Sequence, residues 1–249
     1  MAKIPGKFVW FEHVTNDIPA SQRFYGEVFG WKVQPFDMGG ETYPMITASG
    51  VPVGGWTPPD PAGPARWETY LSVLDVDAAL RAVAAAGGKV RKPAFDVPGV
   101  SRMAQVADPT GASFWVMESK GTDEDAASTP TGQFHWNELW TSDAAKALAF
   151  YVRAFGYTHT EMDMGEQGLY RVLQTGETMR AGILSAPAGA PSGWVPYVGV
   201  DDCDQTVARA TKLGATTLVP PTDIPDIGRF AVFVDPQGAT IAVIKPAAR

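Results

Sequence analysis

Two glutamates occupy the same place in two similar stretches of sequence. Glu12 follows Phe-Val-Trp-Phe and Glu138 follows Phe-His-Trp-Asn, at an offset of 126 residues. A carboxyl group buried among aromatic side chains holds its proton more strongly, which suits a general acid or base. It can equally anchor a ligand by a hydrogen bond, or be a structural glutamate paired with an arginine. Arg102 and Arg229, which also occupy matching positions, are the candidates for that pairing.

The sequence around the glutamates also repeats. Phe24-Tyr25 returns as Phe150-Tyr151, and the turn Asp-Pro-Thr-Gly that starts at Asp108 returns as Asp-Pro-Gln-Gly at Asp235. Repetition at a fixed spacing indicates duplicated structural units. We predict a first domain at 1–118, an acidic linker at 119–132 and a second domain at 133–249. The linker either joins the domains flexibly or lies over one of them.

Each copy contains, twice, a strand, a helix and three further strands. Residues 7–15 are rich in β-branched and aromatic side chains, so they predict a strand, and this strand carries Glu12. Asp17 can cap a helix that starts near Ile18, and Gly30 can end it. Further helices are predicted near 77–86, 144–155 and 203–213. The expected fold is α+β, with four βαβββ modules.

The order of these motifs resembles the vicinal oxygen chelate superfamily, which includes glyoxalase I, bleomycin-resistance proteins and extradiol dioxygenases. The resemblance rests on the Asp-x6-Phe-Tyr helix start, the Gly-Trp after that helix, the Gly-Gly helix stop and the closing Asp-Pro-x-Gly-Ala hairpin. It covers nearly the whole chain, as two glyoxalase-like domains. It implies that paired modules form curved, cup-shaped sheets around a ligand cavity. Because this superfamily contains enzymes and metal-free binding proteins, the fold leaves the function open.

The resemblance also implies four metal-ligand positions in each copy, and only one of the eight carries a side chain that can bind a metal. The positions hold Trp10, about Trp56, about Glu68 and Trp115 in the first copy, and Trp136, about Ile183, about Val195 and Ala242 in the second. An iron, zinc or nickel site needs about three nitrogen or oxygen ligands. We therefore expect no metal and no other cofactor. A site built from Glu12, Glu138 and a histidine is the alternative.

Strand alternation predicts which side chains face the cavity. Glu12 shares a face with Trp10, whereas His13 lies on the opposite face, under the helix, as a packed or hydrogen-bonded residue. The predicted ligand-binding residues are Trp10, Trp56, Glu68, Tyr70, Trp115 and Met117 in the first copy and Trp136 and Tyr197 in the second, with Glu12 and Glu138 as catalytic candidates. An aromatic wall with a few polar groups is the usual lining of a small-molecule site. The other interpretation is that the tryptophans fill the cavity as core.

Composition limits the partners. The chain has 27 acidic and 20 basic side chains, and the basic residues are scattered, so no face is expected to bind nucleic acid or anionic lipid. No apolar run reaches the roughly 20 residues of a membrane span. The start of the chain does not read as a secretory signal, and the single cysteine, Cys203, fits a reducing compartment and is expected to be packed rather than reactive. We expect a soluble, cytoplasmic monomer or homodimer.

Two functions follow from the sequence. The first is metal-independent binding of a small aromatic or amphipathic molecule in an aromatic-lined cup, as in sequestration or resistance. The second is an enzyme of glyoxalase, lyase or dioxygenase type, which uses Glu12 or Glu138 as its acid–base residue or a metal at another position.

Overall fold

The computed structural model of the protein describes residues 3–60, 62–121, 123, 125, 130–165, 168–186 and 189–247. Within them the chain forms module 1, with β1 (Phe8–Val14), α1 (Ile18–Phe29), β2 (Lys32–Asp37), β3 (Thr42–Ala48) and β4 (Val51–Thr57). Module 2 comprises β5 (Arg66–Ser72), α2 (Val76–Ala85), β6 (Lys89–Val97), β7 (Ser101–Ala107) and β8 (Ser113–Ser119). Module 3 comprises β9 (Phe134–Thr141), α3 (Ala144–Phe155), β10 (Thr158–Asp163), β11 (Leu169–Thr175) and β12 (Thr178–Ser185). Module 4 comprises β13 (Gly193–Gly199), α4 (Cys203–Lys212), β14 (Thr216–Ile224), β15 (Gly228–Val234) and β16 (Thr240–Pro246).

The same order of elements occurs in all four modules, which confirms the predicted α+β fold. The helix signals act as the sequence indicates. Asp17 accepts a hydrogen bond from the Ala20 N–H at 2.9 Å, and Gly30 ends α1 with a left-handed φ of 73°. Asp143 and Gly156 do the same for α3. In the part of the chain that the structure describes, no helix is both long and apolar enough to cross a bilayer.

Contacts between the modules divide the chain into two compact units. Unit 1 contains Met1–Trp10, Glu68–Ala126 and Trp136–Trp194, and unit 2 contains Phe11–Trp67, Ala127–His135 and Val195–Arg249. Unit 1 therefore combines module 2 with module 3, and unit 2 combines module 1 with module 4. The helices follow this pairing, because α2 contacts α3 and α1 contacts α4. Each unit takes one module from each sequence copy.

Each module contributes four neighbouring strands to a mixed eight-stranded sheet, and within each module the first strand pairs with the last. The strand orders are β5-β8-β7-β6 and β10-β11-β12-β9 in unit 1, and β2-β3-β4-β1 and β13-β16-β15-β14 in unit 2. First and last strands run parallel, and the remaining neighbours run antiparallel. This pairing places Glu12 beside Gly55 and Glu138 beside Gly182.

The Asp-Pro-x-Gly turns bind the other module of their own unit. In unit 2, Asp235 accepts two backbone N–H groups of its turn through Oδ1 and the Tyr25 hydroxyl, at 2.9 Å, through Oδ2. In unit 1, Asp108 accepts two backbone N–H groups of its own turn through Oδ1 and the Tyr151 hydroxyl, at 3.2 Å, through Oδ2. Burial and the aspartate charge raise the pKa of both tyrosines well above the ordinary value, so they remain donors. The repeated Phe-Tyr and Asp-Pro-x-Gly motifs are therefore partners from different copies.

Two residues of the predicted linker are held on unit 1. Asp125 pairs with Lys7 and Arg180, and the Arg180 hydrogen bonds lower the pKa of Asp125 to about 2. Asp123 accepts a hydrogen bond from the Ser72 hydroxyl at 2.5 Å. Asp123 and Asp125 therefore lie against a folded unit, as one of the two alternatives for the linker predicts. The linker positions 122, 124 and 126–129 lie outside the described residues.

Candidate functional site

Each predicted catalytic glutamate is held by a tyrosine that the sequence analysis did not identify. In unit 2 the Tyr43 hydroxyl donates to Glu12 Oε1 at 2.7 Å. In unit 1 the Tyr170 hydroxyl donates to Glu138. Both glutamates are buried, with 8% and 6% of their surfaces exposed. Together with the glycine beside each glutamate, these residues are called here the Glu–Tyr centres.

The glycine of each centre makes room for the tyrosine. A Cβ atom at Gly55 would overlap the hydroxyl and ring of Tyr43, and a Cβ atom at Gly182 would overlap those of Tyr170. Glycine inside a strand is costly, and it often marks a place where another group approaches closely. Here the approaching group is the tyrosine hydroxyl. Because the glycine has no side chain, the tyrosine hydroxyl can cross the strand of the glycine and reach the glutamate on the next strand.

The centre of unit 1 contains two further donors. The Trp136 indole N–H donates to the Tyr170 hydroxyl at 2.9 Å, and the Trp140 indole N–H donates to Glu138 Oε1 at 2.6 Å. Burial, followed by the nearby Glu138 carboxylate, raises the pKa of Tyr170 well above its ordinary value. Tyr170 is therefore protonated at neutral pH and donates a hydrogen bond to Glu138. Trp136, a predicted lining residue, belongs to this centre.

The predicted arginine partners of the glutamates are wrong. Both arginines instead form ion pairs with two aspartates each: Arg102 with Asp77 and Asp96, and Arg229 with Asp204 and Asp223. Asp77 and Asp204 lie in the first turns of α2 and α4, so each arginine connects a helix start to a strand hairpin. Glu12 accepts a hydrogen bond from Tyr43, and Glu138 accepts hydrogen bonds from Tyr170 and Trp140.

The predicted position of Trp56 in the cavity lining is also wrong. Its indole N–H donates to Ser21 of α1 at 3.0 Å, and only 1% of its surface is exposed. The parallel register pairs Trp56 with His13 and Gly55 with Glu12. Because side chains alternate along a strand, Trp56 lies on the helix side and Gly55 occupies the face of Glu12.

His13 is a packed, hydrogen-bonded residue, as the sequence predicts. Its Nδ1 lies 2.9 Å from Ser21 Oγ and its Nε2 lies 2.9 Å from Asp235 Oδ2. The order serine, histidine, aspartate is that of a hydrolase triad, but none of the three is more than 4% exposed. Ser21 Oγ also accepts the Trp56 indole N–H. This network is therefore a structural element of unit 2. In unit 1 the position that matches His13 carries Leu139.

The second cluster with potential for ligand binding lies on β5 and β8 of unit 1. The Trp115 indole N–H donates to Glu68 Oε2 at 2.5 Å, and the Tyr70 ring lies parallel to the Trp115 ring with 5.4 Å between centroids. The Phe95 ring meets Trp115 edge-on at 6.0 Å and is 43% exposed. Met117 follows on the same strand face and is half-buried. These five side chains are called here the Trp115 wall.

The matching strands of unit 2 carry a different set of side chains. Tyr197 matches Tyr70, is buried, and lies beside Ala242 in the parallel register. Its ring centroid is 6.4 Å from that of Phe230. Val195 and Ala242 stand where the wall has Glu68 and Trp115. The polar indole–carboxylate pair is therefore a property of the first copy.

The side chains present do not fit the metal site that the resemblance implies. Glu68, the one ligating residue at the eight positions, accepts the indole N–H of Trp115, which occupies another of those positions. Among the residues that the structure describes, no three His, Cys, Asp or Glu side chains are grouped to hold a metal ion. Cys203 is buried, and burial raises the pKa of its thiol to about 11, which disfavours a reactive thiolate. His159 is exposed on β10, and Trp10 is half-buried on β1.

The repeat itself contained the signal for the missed tyrosines. Tyr43 and Tyr170 are separated by 127 residues, and so are Gly55 and Gly182. A comparison of identical residues at matching strand positions finds both pairs. Trp140 matches Val14 and could not be found in this way.

Family profiles match both halves of the chain. Residues 7–47 match the family described as "Bleomycin resistance protein-like N-terminal". Residues 133–243 match the family described as "Glyoxalase/Bleomycin resistance protein/Dioxygenase superfamily".

Two kinds of relatives match nearly the full chain. The protein named "Putative glyoxylase CFP32" from Mycobacterium tuberculosis is 39% identical over 245 residues, which cover 96% of this chain and 94% of the relative. "Anthracycline biosynthesis protein DauV" from a Streptomyces species is 34% identical over 261 residues, covering 97% of this chain and 94% of the relative. "Anthracycline biosynthesis protein DnrV" from Streptomyces peucetius matches to the same extent.

Solved structures of low sequence identity share the fold. The Mn(II)-bound glyoxalase from Novosphingobium aromaticivorans has a TM-score of 0.69 at 18% identity, over 98% of this chain and 83% of that protein. The 2,2',3-trihydroxybiphenyl 1,2-dioxygenase from Sphingomonas wittichii has a TM-score of 0.68 at 15% identity, over 98% and 91%. Because a relative that is 39% identical covers nearly the full chain and residues 133–243 match the family model, the chain belongs to the glyoxalase/bleomycin resistance protein/dioxygenase superfamily, as a tandem member.

Proposed function

We propose that this protein binds a planar aromatic small molecule without a metal, and that the Trp115 wall of unit 1 contacts the ring system. The observation that carries the proposal is the fixed indole of Trp115. Glu68 holds its N–H and Tyr70 lies parallel to its ring. Trp115 and Tyr70 are buried, and Trp115 supports the exposed Phe95 ring, which offers the surface on which a ligand can stack. A surface whose orientation is already set loses little side-chain entropy on binding.

The expected affinity is moderate. Burying about 200 Å² of apolar ligand surface contributes roughly 5 kcal/mol, and each well-placed aromatic contact adds roughly 0.5–1.5 kcal/mol. After the cost of association, these terms correspond to dissociation constants of order micromolar to millimolar. Such values suit a sequestering protein as well as the substrate complex of an enzyme.

The names of the relatives support a planar ligand. DauV and DnrV are named as anthracycline biosynthesis proteins, and anthracyclines contain a flat system of fused rings. The match of residues 7–47 to a bleomycin-resistance family supports a sequestering or resistance role. An anthracycline is therefore the first ligand to test.

The internal repeat offers a matched variant for this test. Glu68→Val combined with Trp115→Ala introduces the two residues that the second copy carries at these positions, Val195 and Ala242. The variant is expected to fold and to bind daunorubicin at least tenfold more weakly than the wild type, measured by tryptophan fluorescence quenching and calorimetry. Leu74→Ala, at a surface position that is 65% exposed, is the control and should bind normally. Unchanged affinity in the double variant would remove the wall from the site.

A second candidate function is acid–base catalysis of glyoxalase type. The duplicated Glu–Tyr centres favour it, since each places a buried carboxylate in a defined hydrogen bond, and the name of the CFP32 relative supports it. The assay is turnover of the hemithioacetal of methylglyoxal and glutathione, with elemental analysis of the same protein sample. Enzymatic function predicts turnover that is lost in Glu12→Gln or Glu138→Gln. Full turnover in both variants would exclude the centres from catalysis.

A further inference from the structure

The Glu–Tyr centres are the same in both copies although their neighbours differ. Glutamate, tyrosine and glycine occur at matching positions in unit 1 and unit 2. The residue after each glutamate differs, because His13 corresponds to Leu139. Each unit therefore presents the same carboxyl group and tyrosine donor in a different surrounding, so the same kind of hydrogen-bond recognition is available in both units.

The electrostatics of a centre define what it can recognise. A carboxylate has about four lone-pair sites and only accepts hydrogen bonds, while the tyrosine hydroxyl is already committed to it. Burial and the nearby Glu138 raise the pKa of Tyr170, so this tyrosine remains a hydrogen-bond donor to Glu138. A ligand that approaches such a centre is favoured if it brings an O–H or N–H donor. An anionic ligand is repelled.

An exposed apolar side chain lies next to each centre. Phe36 on β2 is the direct neighbour of Tyr43 on β3, and Met162 on β10 is the direct neighbour of Tyr170 on β11. Directly opposed residues of antiparallel strands share one face of the sheet. Phe36 is 38% exposed and Met162 is 41% exposed. Each centre therefore combines a hydrogen-bond acceptor with an apolar surface for a ring.

We infer that each Glu–Tyr centre is an anchor for a hydroxyl or amine donor on the edge of an aromatic ligand, so that the chain carries two donor-selective anchors, one in each unit. The inference rests on the proposed binding of aromatic molecules and adds their class: neutral or cationic rings with a donor, not carboxylates or sulfonates. Tyr43 and Tyr170 are positioning residues, since they act through the glutamates. Because Phe36 offers a ring and Met162 does not, the two anchors are expected to differ in affinity.

Three probes with one ring system test the inference by calorimetry: 2-naphthol, 2-methoxynaphthalene and 2-naphthoate. The wild type is expected to bind 2-naphthol at least tenfold more tightly than its methyl ether and to bind the anion most weakly. Glu12→Gln and Glu138→Gln keep the side-chain shape and remove the charge, and a neutral acceptor is weaker. Glu12→Gln should weaken naphthol binding at the anchor of unit 2, and Glu138→Gln should weaken it at the anchor of unit 1. The double variant should bind naphthol and its ether within about threefold of each other.

Tyr43→Phe and Tyr170→Phe test the positioning role. Each keeps the ring and removes only the hydroxyl that holds the carboxylate. Loss of a donor makes a carboxyl group easier to protonate, so the pH midpoint below which naphthol binding is lost should move upward. A purely structural tyrosine would lower the melting temperature and leave that midpoint unchanged. Circular dichroism at each pH confirms that the variants remain folded.

The outcomes separate this inference from the proposed function. Equal affinity of the wild type for 2-naphthol and 2-methoxynaphthalene would overturn the anchors and leave the Trp115 wall standing. A tenfold preference that survives in the double glutamine variant would also overturn them. If naphthol binding by Glu138→Gln is the same as by the wild type, the claim of two anchors fails. Binding of none of the probes at millimolar concentration, by a protein that binds daunorubicin, would overturn the anchors and leave the Trp115 wall standing.

Discussion

The carboxylate of Asp235 connects three elements of unit 2. It closes its own turn, accepts the Tyr25 hydroxyl of α1 and pairs with His13 of β1. Burial acts to raise its pKa, but hydrogen bonds from His13, the Ala239 N–H and Tyr25 outweigh burial and lower it. A carboxyl group with a lowered pKa in the folded state stabilises the fold above its ordinary pKa of about 3.9. That stabilisation is lost as the pH falls below this value.

We expect His13→Leu to lower the free energy of unfolding by about 1–3 kcal/mol at pH 7, because a hydrogen bond to a charged, buried group is lost. The variant carries the residue that unit 1 has at the matching position, Leu139. It should also lose less stability than the wild type between pH 5 and pH 3, since the pKa of Asp235 returns towards its ordinary value. Urea denaturation at several pH values measures both effects. His159→Leu, at an exposed histidine, is the control, and a His13 variant as stable as this control would contradict the argument.

The sequence predicted single residues where the information is local. The alternation of side chains along one strand correctly assigned His13 to the helix side. Trp56 was assigned to the wrong face because its position depends on the register between β1 and β4, which lie some forty residues apart in the chain. Tyr43 was missed for the same reason: it reaches Glu12 across β4, and no local pattern reports which hydroxyl arrives there.

Strands β4 and β12 each have a glycine where a side chain would normally stabilise the sheet. We expect Gly55→Ala and Gly182→Ala to displace Tyr43 and Tyr170 and to lower the free energy of unfolding by about 1–3 kcal/mol, the usual cost of overpacking. Gly193, at the start of β13, is the matched control, because a Cβ atom there would meet no other atom within 4 Å. Thermal and urea unfolding compare the three variants. Equal stability of Gly55→Ala and Gly193→Ala would show that the tyrosine can move at no cost.

Asp125 of the predicted linker forms ion pairs with unit 1. Asp125→Asn removes the ion pairs with Lys7 and Arg180. The Asp125 side chain is partly exposed in both pairs. We expect a loss of at most about 1 kcal/mol at low salt, since water screens exposed pairs. The loss should shrink further in 1 M NaCl, where the Debye length is about 3 Å. A salt-independent loss, measured by urea denaturation, would assign the effect to packing instead of charge.

The interleaving of the copies is the feature of the whole molecule that the sequence could not predict. Helix ends follow from local signals, and α3 begins and ends at the predicted residues, 144 and 155. The pairing of modules does not follow from local signals, because both copies carry the same Phe-Tyr and Asp-Pro-x-Gly motifs. Tyr25 could bind Asp108 or Asp235 with equal chemistry, and the choice of Asp235 emerges only from the packing of modules 1 and 4.

We expect the two predicted domains to depend on each other. Residues 1–118 expressed alone contain the Tyr25 helix without its partner Asp235, and residues 133–249 contain the Tyr151 helix without Asp108. Each fragment should unfold at a lower temperature than the full chain, and the two expressed together should form a one-to-one complex. Size-exclusion chromatography and calorimetry measure this. A fragment 1–118 that is monomeric and as stable as the full chain would contradict the pairing of modules across copies.

The composition of unit 2 has a consequence for synthesis on the ribosome. This unit contains Phe11–Trp67 and Val195–Arg249, so one of its halves is made near the start of translation and the other at the very end. At 5–20 residues per second, module 1 waits on the order of ten to forty seconds for module 4. During that time the aromatic face of its helix, including the Tyr25 hydroxyl that donates to Asp235, is without module 4, whereas the modules of unit 1 follow one another closely. Module 1 is therefore the part of the nascent chain most exposed to chaperones and to aggregation.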